Sequence, residues 1–173
     1  HYLLFLDKNC VNYNPYTITS IYFDNVKDDD LFEKLNGVMF REKYRVRFYN
    51  ENENEGKFEI KRKYENMIEK KTLNLNNVEL KQILSEDFSV LKSFEEFEYL
   101  SYKMGYKLYK PKTVVRYDRL AYQLPLNNIR VTLDVNLRSS TFFNGSKEKN
   151  INSGKKIMPI GYEILELKYS DMF

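Results

Sequence analysis

The chain has 173 residues, 42% hydrophobic and 31% charged, with a formal net charge of +3. That length suits one domain with a real core, and the composition excludes an intrinsically disordered protein. The near balance of charge does not by itself mark a nucleic-acid binder. The single Cys10 excludes an internal disulfide or a cysteine metal cluster, and His1 as the one histidine argues against histidine-based catalysis.

In chain order, the first element is a strand at 17–24 (TITSIYFD), rich in β-branched and aromatic residues. A helix follows at 28–36, with acids in its first turn and Gly37 just beyond its end. Strands at 43–50 and 57–64 flank the polar NENENEG connection, 50–56. The tighter ENM, 65–67, leads into a strand at 67–75. Helices are expected at 77–85 and 89–104, the latter closed by Gly105 and carrying Leu91, Phe94, Phe97 and Leu100 as a core-facing stripe. Strands at 113–122 and 129–138 are joined by PLNN, 125–128. A mobile polar loop at 144–156 carries four lysines, and a final strand spans 161–169. There is no internal repeat and no regular βαβ rhythm. The expected class is therefore α+β with a largely antiparallel sheet, as a single domain over 1–173. No apolar run approaches the ~20 residues of a membrane helix, and no signal peptide is visible.

The strand faces carry the functional signal. Lys43, Arg45 and Arg47 share one face of their strand, against Tyr44, Val46 and Phe48. Glu59, Lys61 and Lys63 oppose Phe58 and Ile60. In 129–138, Arg130, Thr132, Asp134, Asn136 and Arg138 oppose five apolar residues. Glu166 and Lys168 share a face against Leu165 and Leu167, and Ser20, Tyr22 and Asp24 oppose Ile21 and Phe23. Taken singly, each strand reads as the solvent side of an ordinary sheet. Taken together, they suit an inverted barrel with polar faces inward and helices covering the apolar faces outside. Buried unpaired charges cost several kcal/mol each, so such an interior needs water, carboxylate partners or an anionic ligand. A phosphate chain suits rows of arginine and lysine best.

The blocks ITSIYFDN (18–25), EKLNGVMFREKYRVRFYN (33–50), FEIKRKY (58–64), VVRYDRLAY (114–122), IRVTLD (129–134) and ILELKY (164–169) together resemble the VTC domain. This family belongs to the triphosphate tunnel, or CYTH-like, superfamily. The resemblance implies an antiparallel tunnel barrel with a cationic interior. It also implies ATP-dependent polyphosphate synthesis assisted by Mn²⁺ or Mg²⁺. Residue by residue, it implies that Arg45, Arg47, Lys61, Arg119, Arg130 and Lys168 act on the phosphates. Lys63, Lys70, Tyr117 and Glu59 would contact substrate or support those that do, with Lys71 an alternative to Lys70 in register. Glu166 matches the metal-binding glutamate, and Asp134 joins it by sharing the face of Arg130.

Two departures accompany the match. Nothing before Tyr16 resembles the family's first strand, and the segment expected after the LELK strand is not found before Phe173. The expectation is a domain lacking both parts. Expected partners are ATP and polyphosphate, with inositol phosphates as a related anion class. No membrane segment is expected in this chain, and a cytoplasmic location is expected from cysteine usage and the need for ATP. Two alternatives stay open: a tunnel triphosphatase, in which water is the nucleophile, and a non-catalytic polyphosphate or inositol-phosphate module. Nucleic-acid binding ranks last, because the aromatics of YRVRFY lie opposite its arginines.

Overall fold

The computed structural model describes residues 5–7, 10, 13–50, 52, 54–124, 129–142, 154–159 and 161–169. The elements are β1 (Phe5–Leu6), β2 (Tyr16–Asp24), α1 (Asp29–Leu35), β3 (Phe40–Tyr49), β4 (Glu55–Tyr64) and β5 (Met67–Asn76). Next come α2 (Asn77–Leu84), two 3₁₀ segments (Phe88–Ser93 and Glu95–Phe97) and α3 (Glu98–Tyr106). The chain continues as β6 (Lys110–Leu124), β7 (Ile129–Thr141), β8 (Lys155–Lys156) and β9 (Ile164–Lys168). All ladders are antiparallel, in the order β5-β4-β3-β2-β6-β7-β8, with β1 on β6 and β9 on β7. The expected strands and the α+β class are present. The PLNN connection and most of the 144–156 loop lie outside the described residues.

Three expectations need correction. Among the described residues no ladder joins β5 to β8 or β9, so the sheet is open and not a closed barrel. The helix expected at 89–104 is broken: 3₁₀ turns occupy its first half, Phe94 is extended at φ −125° and ψ 105°, and α3 begins only at Glu98. The reason lies in the stripe itself. Leu91, Phe94, Phe97 and Leu100 recur every three residues, which is the period of a 3₁₀ turn, not the 3.6 of an α-helix. Gly105 lies inside α3 and does not close it. The last strand starts at Ile164, after a turn in which the Tyr162 N–H donates to the Pro159 carbonyl.

One face of β2–β5 forms the main core. Val46, Phe58, Ile60 and Leu75 pack against Leu80 and Ile83 of α2, Leu91 of the first 3₁₀ segment, and Leu100 and Met104 of α3. Asn76 caps α2 through a reciprocal pair with Glu79, which fixes where β5 turns into the covering layer. Gly56 is the close-packed point of this layer. A Cβ there would sit 3.1 Å from Leu80 Cδ1.

On the other face several polar residues are buried although no helix among the described residues covers them, while Lys61 and Lys168 stay exposed. Glu59 is 2% exposed, Thr132 2% and Asp134 7%, whereas Leu165 on the apolar side of β9 is 70% exposed. Glu59, Thr132 and Asp134 are thus buried among other polar side chains. Among the described residues, however, no helix covers the apolar side of β9, and the inverted barrel expected from the sequence is not formed. Among the described residues no helix is long and apolar enough to cross a membrane.

Helix α1 is oriented against its composition. It buries Asp30 and exposes Leu31, Phe32 and Leu35. Tyr109 Oη donates to Asp30 Oδ1 at 2.6 Å, and Oδ2 has no partner among the described residues. Burial pushes the Asp30 carboxyl up from 3.8 to about 7, against the pull of the Tyr109 hydrogen bond and with help from Asp24 and Glu33. The folded state thus holds this proton more tightly than the unfolded state. Stability falls as pH rises from 3.8 to about 7, and the full penalty persists above that. Asp30→Asn keeps the acceptor for Tyr109 and removes the charge. Urea unfolding is expected to show a gain on the order of 2–4 kcal/mol at pH 8, shrinking by about 2 kcal/mol at pH 5.

Candidate functional site

The polar face of β3, β4 and β5 is ordered in rows by strand register. Lys43 lies opposite Lys61, and Lys61 opposite Lys70; the next row is Arg45, Glu59 and Thr72, and the next Arg47, Lys57 and Asn74. Glu59 is the hub. It accepts from Arg45 Nε at 2.6 Å and pairs with Lys70 at 2.5 Å and Arg47 at 3.8 Å. Burial opposes its ionisation, but Lys70, Arg45 and Arg47 outweigh that and hold its carboxyl below the ordinary range. Tyr22 Oη accepts from Arg45 Nη1 at 3.0 Å, and Ser20 Oγ accepts from Arg47 Nε at 3.3 Å, so β2 fixes the outer edges of both guanidiniums. Register also settles the choice between adjacent lysines. Lys70 is on the polar face, whereas Lys71 opposes Ile60 on the helix side and pairs with Glu96 at 3.5 Å.

The Lys43–Lys61–Lys70 row is only partly neutralised among the described residues. Lys70 shares Glu59 with two arginines, and among the described residues Lys43 and Lys61 form no salt bridge. Burial, then Lys34, Arg41 and Lys61, lower the pKa of Lys43. Like charges directly opposite on neighbouring strands are destabilising. Lys63 extends the pattern, facing Arg41.

A second cluster is built by β6, β7 and β9. Arg119 donates from Nε and Nη2 to the two oxygens of Asp134, at 2.6 and 2.7 Å. This fork raises the Arg119 pKa despite burial. Glu166 lies 3.9 Å from Arg119 Nη2, with Lys168 Nζ 3.4 Å from its other oxygen. Glu166 opposes Thr132 in register, and the buried Thr132 Oγ1 has no hydrogen-bond partner among the described residues. Arg130 opposes Lys168 and donates to Asp7 at 2.9 Å and Tyr16 Oη at 3.3 Å. Tyr117 links the two clusters. Arg119 lies 5.1 Å from its ring centroid, and burial raises its hydroxyl pKa while Arg47 and Arg119 pull it down.

All the sequence-predicted site residues lie on this one face. One assumption about β7 does not hold past Asn136. That residue, at φ 56°, is the extra residue of a bulge, after which Leu137 turns to the polar side and packs near Ile18 and Tyr117. Arg138 opposes Arg116 and leaves the face. Four supporting residues had no site role assigned from the sequence: Tyr22, Ser20 and Thr132, which were read only as members of polar faces, and Asp7. Strand parity places the first three. Asp7 precedes any recognisable pattern and is found only through its pair with Arg130.

The face sets forked and point cations around Glu59, beside a second group in which Asp134 and Glu166 lie next to Arg119 and Lys168. The family model of the VTC domain matches residues 1–172, and the chain belongs to that family. Among curated proteins none matches it. Among solved structures it is similar to a protein from Vibrio parahaemolyticus assigned provisionally as an adenylate cyclase, at 10% identity and a TM-score of 0.43. The match covers 80% of this chain and 65% of that one, so this chain spans just under two-thirds of that protein's length.

Proposed function

We propose that this domain synthesises polyphosphate from ATP by metal-assisted phosphoryl transfer on its cationic face. The observation that carries this reading is the incompletely neutralised Lys43–Lys61–Lys70 row beside Arg45 and Arg47. A free fold gains nothing from it, but a bound phosphate chain would neutralise it. Phosphoryl transfer asks for positioning and charge neutralisation more than covalent chemistry, which fits a face without a reactive cysteine or histidine.

Arg45 and Arg47 hold non-bridging phosphate oxygens with their free N–H groups, oriented by Tyr22, Glu59 and Ser20. Lys61, Lys63 and Lys70 follow the chain as point charges. Arg119, braced by Asp134 and Tyr117, and Arg130, braced by Asp7, steady the phosphates on the β6–β7 side, with Lys168 at the rim. A terminal oxygen of the acceptor chain forms a bond to the γ-phosphorus of ATP. The bond between that phosphorus and the β–γ bridging oxygen breaks, and ADP leaves.

A divalent ion fits beside Glu166. Its carboxylate and the Thr132 hydroxyl are hard oxygen donors that would hold Mg²⁺ or Mn²⁺. Among the described residues no group of three metal-ligating side chains exists, and both oxygens of Asp134 are engaged by Arg119. Glu166 would then be the principal ligand, with Asp134, which shares its oxygens with Arg119, beside it on the same face. Such an ion supplies charge neutralisation to the transferred group.

Incubation with ATP and Mn²⁺ or Mg²⁺, resolved on a polyphosphate gel with ADP and free phosphate counted, tests the proposal. The expected result is a ladder with stoichiometric ADP, reduced at least ~100-fold in Arg45→Ala and Glu166→Ala. Free phosphate without a ladder would make the domain a triphosphatase. Tight tripolyphosphate binding with neither product would make it a binding module.

A further inference from the structure

Large apolar side chains are exposed on α1 and on the β3 and β4–β5 ends beside it, with no partner among the described residues. Leu31, Phe32 and Leu35 of α1 face outward. At the end of α1, Gly37 at φ 69° reverses the chain; its N–H donates to Lys34, and that of Val38 to Glu33, a Schellman turn. Beyond it Met39 is 66% exposed, and on the neighbouring β4–β5 turn Met67 is 68% exposed. These segments form one surface. Phe40 opposes Tyr64, their rings edge-on at 6.4 Å; Tyr64 opposes Met67; and the Glu65 N–H donates to the Met39 carbonyl at 3.3 Å. A patch of this extent on a water-soluble surface marks an interaction site.

Its charged surroundings are cationic. Lys34 lies in the last turn of α1, Arg41 and Lys63 are cross-strand neighbours one residue inside the Phe40–Tyr64 pair, and Lys43 and Lys61 follow. The acidic residues here are Asp29 and Glu33 of α1, with Asp30 buried, and Glu65 and Glu69, the last paired with Arg62 at 2.9 Å.

We propose that this patch docks on an anionic lipid surface. The apolar residues occupy a short helix and two turns at the end of a sheet. They form a projecting edge that suits insertion among headgroups. Lysine and arginine behind them can lie along the apolar layer while their heads meet lipid phosphates. A second copy is disfavoured, because two such faces would set cations against cations. No described helix is long enough to span a bilayer, so the contact is interfacial. The inference does not depend on the proposed reaction; Lys43, Lys61 and Lys63 belong to both surfaces, so Lys34 and Arg41 are the docking cations that the test addresses.

Sedimentation with phosphatidylcholine vesicles, with and without phosphatidylserine, tests it on the whole chain in excess tripolyphosphate. The polyanion occupies the cationic face and removes adsorption through it. Binding is expected to phosphatidylserine-containing vesicles and to fall at least ~10-fold in Leu35→Asp, in Met67→Asp and in Lys34→Glu/Arg41→Glu. An unchanged melting transition and unchanged tripolyphosphate affinity in the first two variants would show that fold and cationic face are intact. No sedimentation of the native protein, or binding that survives both aspartate variants, would overturn the proposal. So would a concentration-dependent dimer abolished by the same variants, which would assign the surface to a second copy.

Discussion

Glu59→Gln is expected to lower stability by about 3 kcal/mol at neutral pH and low ionic strength, although the residue makes no contact with the apolar core. Glu59 is the one carboxylate shared by Arg45, Arg47 and Lys70. Removing a buried partner leaves charge uncompensated, and this ordinarily costs about 3–5 kcal/mol. Lys70 is nearly half exposed and partly solvated, which places the effect at the low end. The linkage has a definite sign. The folded pKa of Glu59 lies below its ordinary 4.5, so its contribution is complete above 4.5 and is lost as pH falls through the lowered folded value. The gap between native and variant should therefore close in acid. Tripolyphosphate should also narrow it, since a bound polyanion supplies the charge that Glu59 supplied. Urea unfolding across pH, with and without tripolyphosphate, measures both. A gap indifferent to the anion would mean that these cations do not form the phosphate site.

The second large effect separates stability from binding. Lys61→Glu is expected to stabilise the free domain by about 0.5 kcal/mol and to weaken tripolyphosphate binding about 100-fold. Lys61 is exposed and stands between Lys43 and Lys70, so reversal of its charge turns two repulsive cross-strand neighbours into attractive ones. The same change removes one charge-assisted contact to phosphate, worth about 1.5–3 kcal/mol, and adds a repulsion. Calorimetric titration beside thermal unfolding reads both signs. Loss of stability together with loss of binding would show that the lysine row is a structural element and not a site held ready for an anion.

Much of this was readable in alternation. From Lys43 to Arg47 and from Glu59 to Lys63, every second residue is charged, and the period of two puts them on one face whatever the partner strand. Lys70 against Lys71 could not be decided in this way. Two adjacent lysines always point to opposite faces, and only the pairing of Lys70 with Lys61 shows which faces the arginines. The bulge at Asn136 was equally hidden. The alternation of 129–138 continues unbroken through it in sequence, but one extra residue in the ladder turns Leu137 inward and Arg138 away. The failed helix at 89–104 is instructive in another sense: the three-residue spacing of its apolar positions was visible and indicated the 3₁₀ turns that form there.

The sequence by itself determined the strands, the polar and apolar faces, the antiparallel α+β class and the membership signalled by its motifs, because these rest on local periodicity and on residue types within one segment. The tertiary structure decided which polar face is buried, which carboxylate each cation shares, that α1 turns its apolar side outward over a buried Asp30, and that the described sheet remains open. These depend on register and on contacts between residues far apart in the chain, such as Asp7 with Arg130 and Tyr109 with Asp30, which no pattern within a single segment encodes.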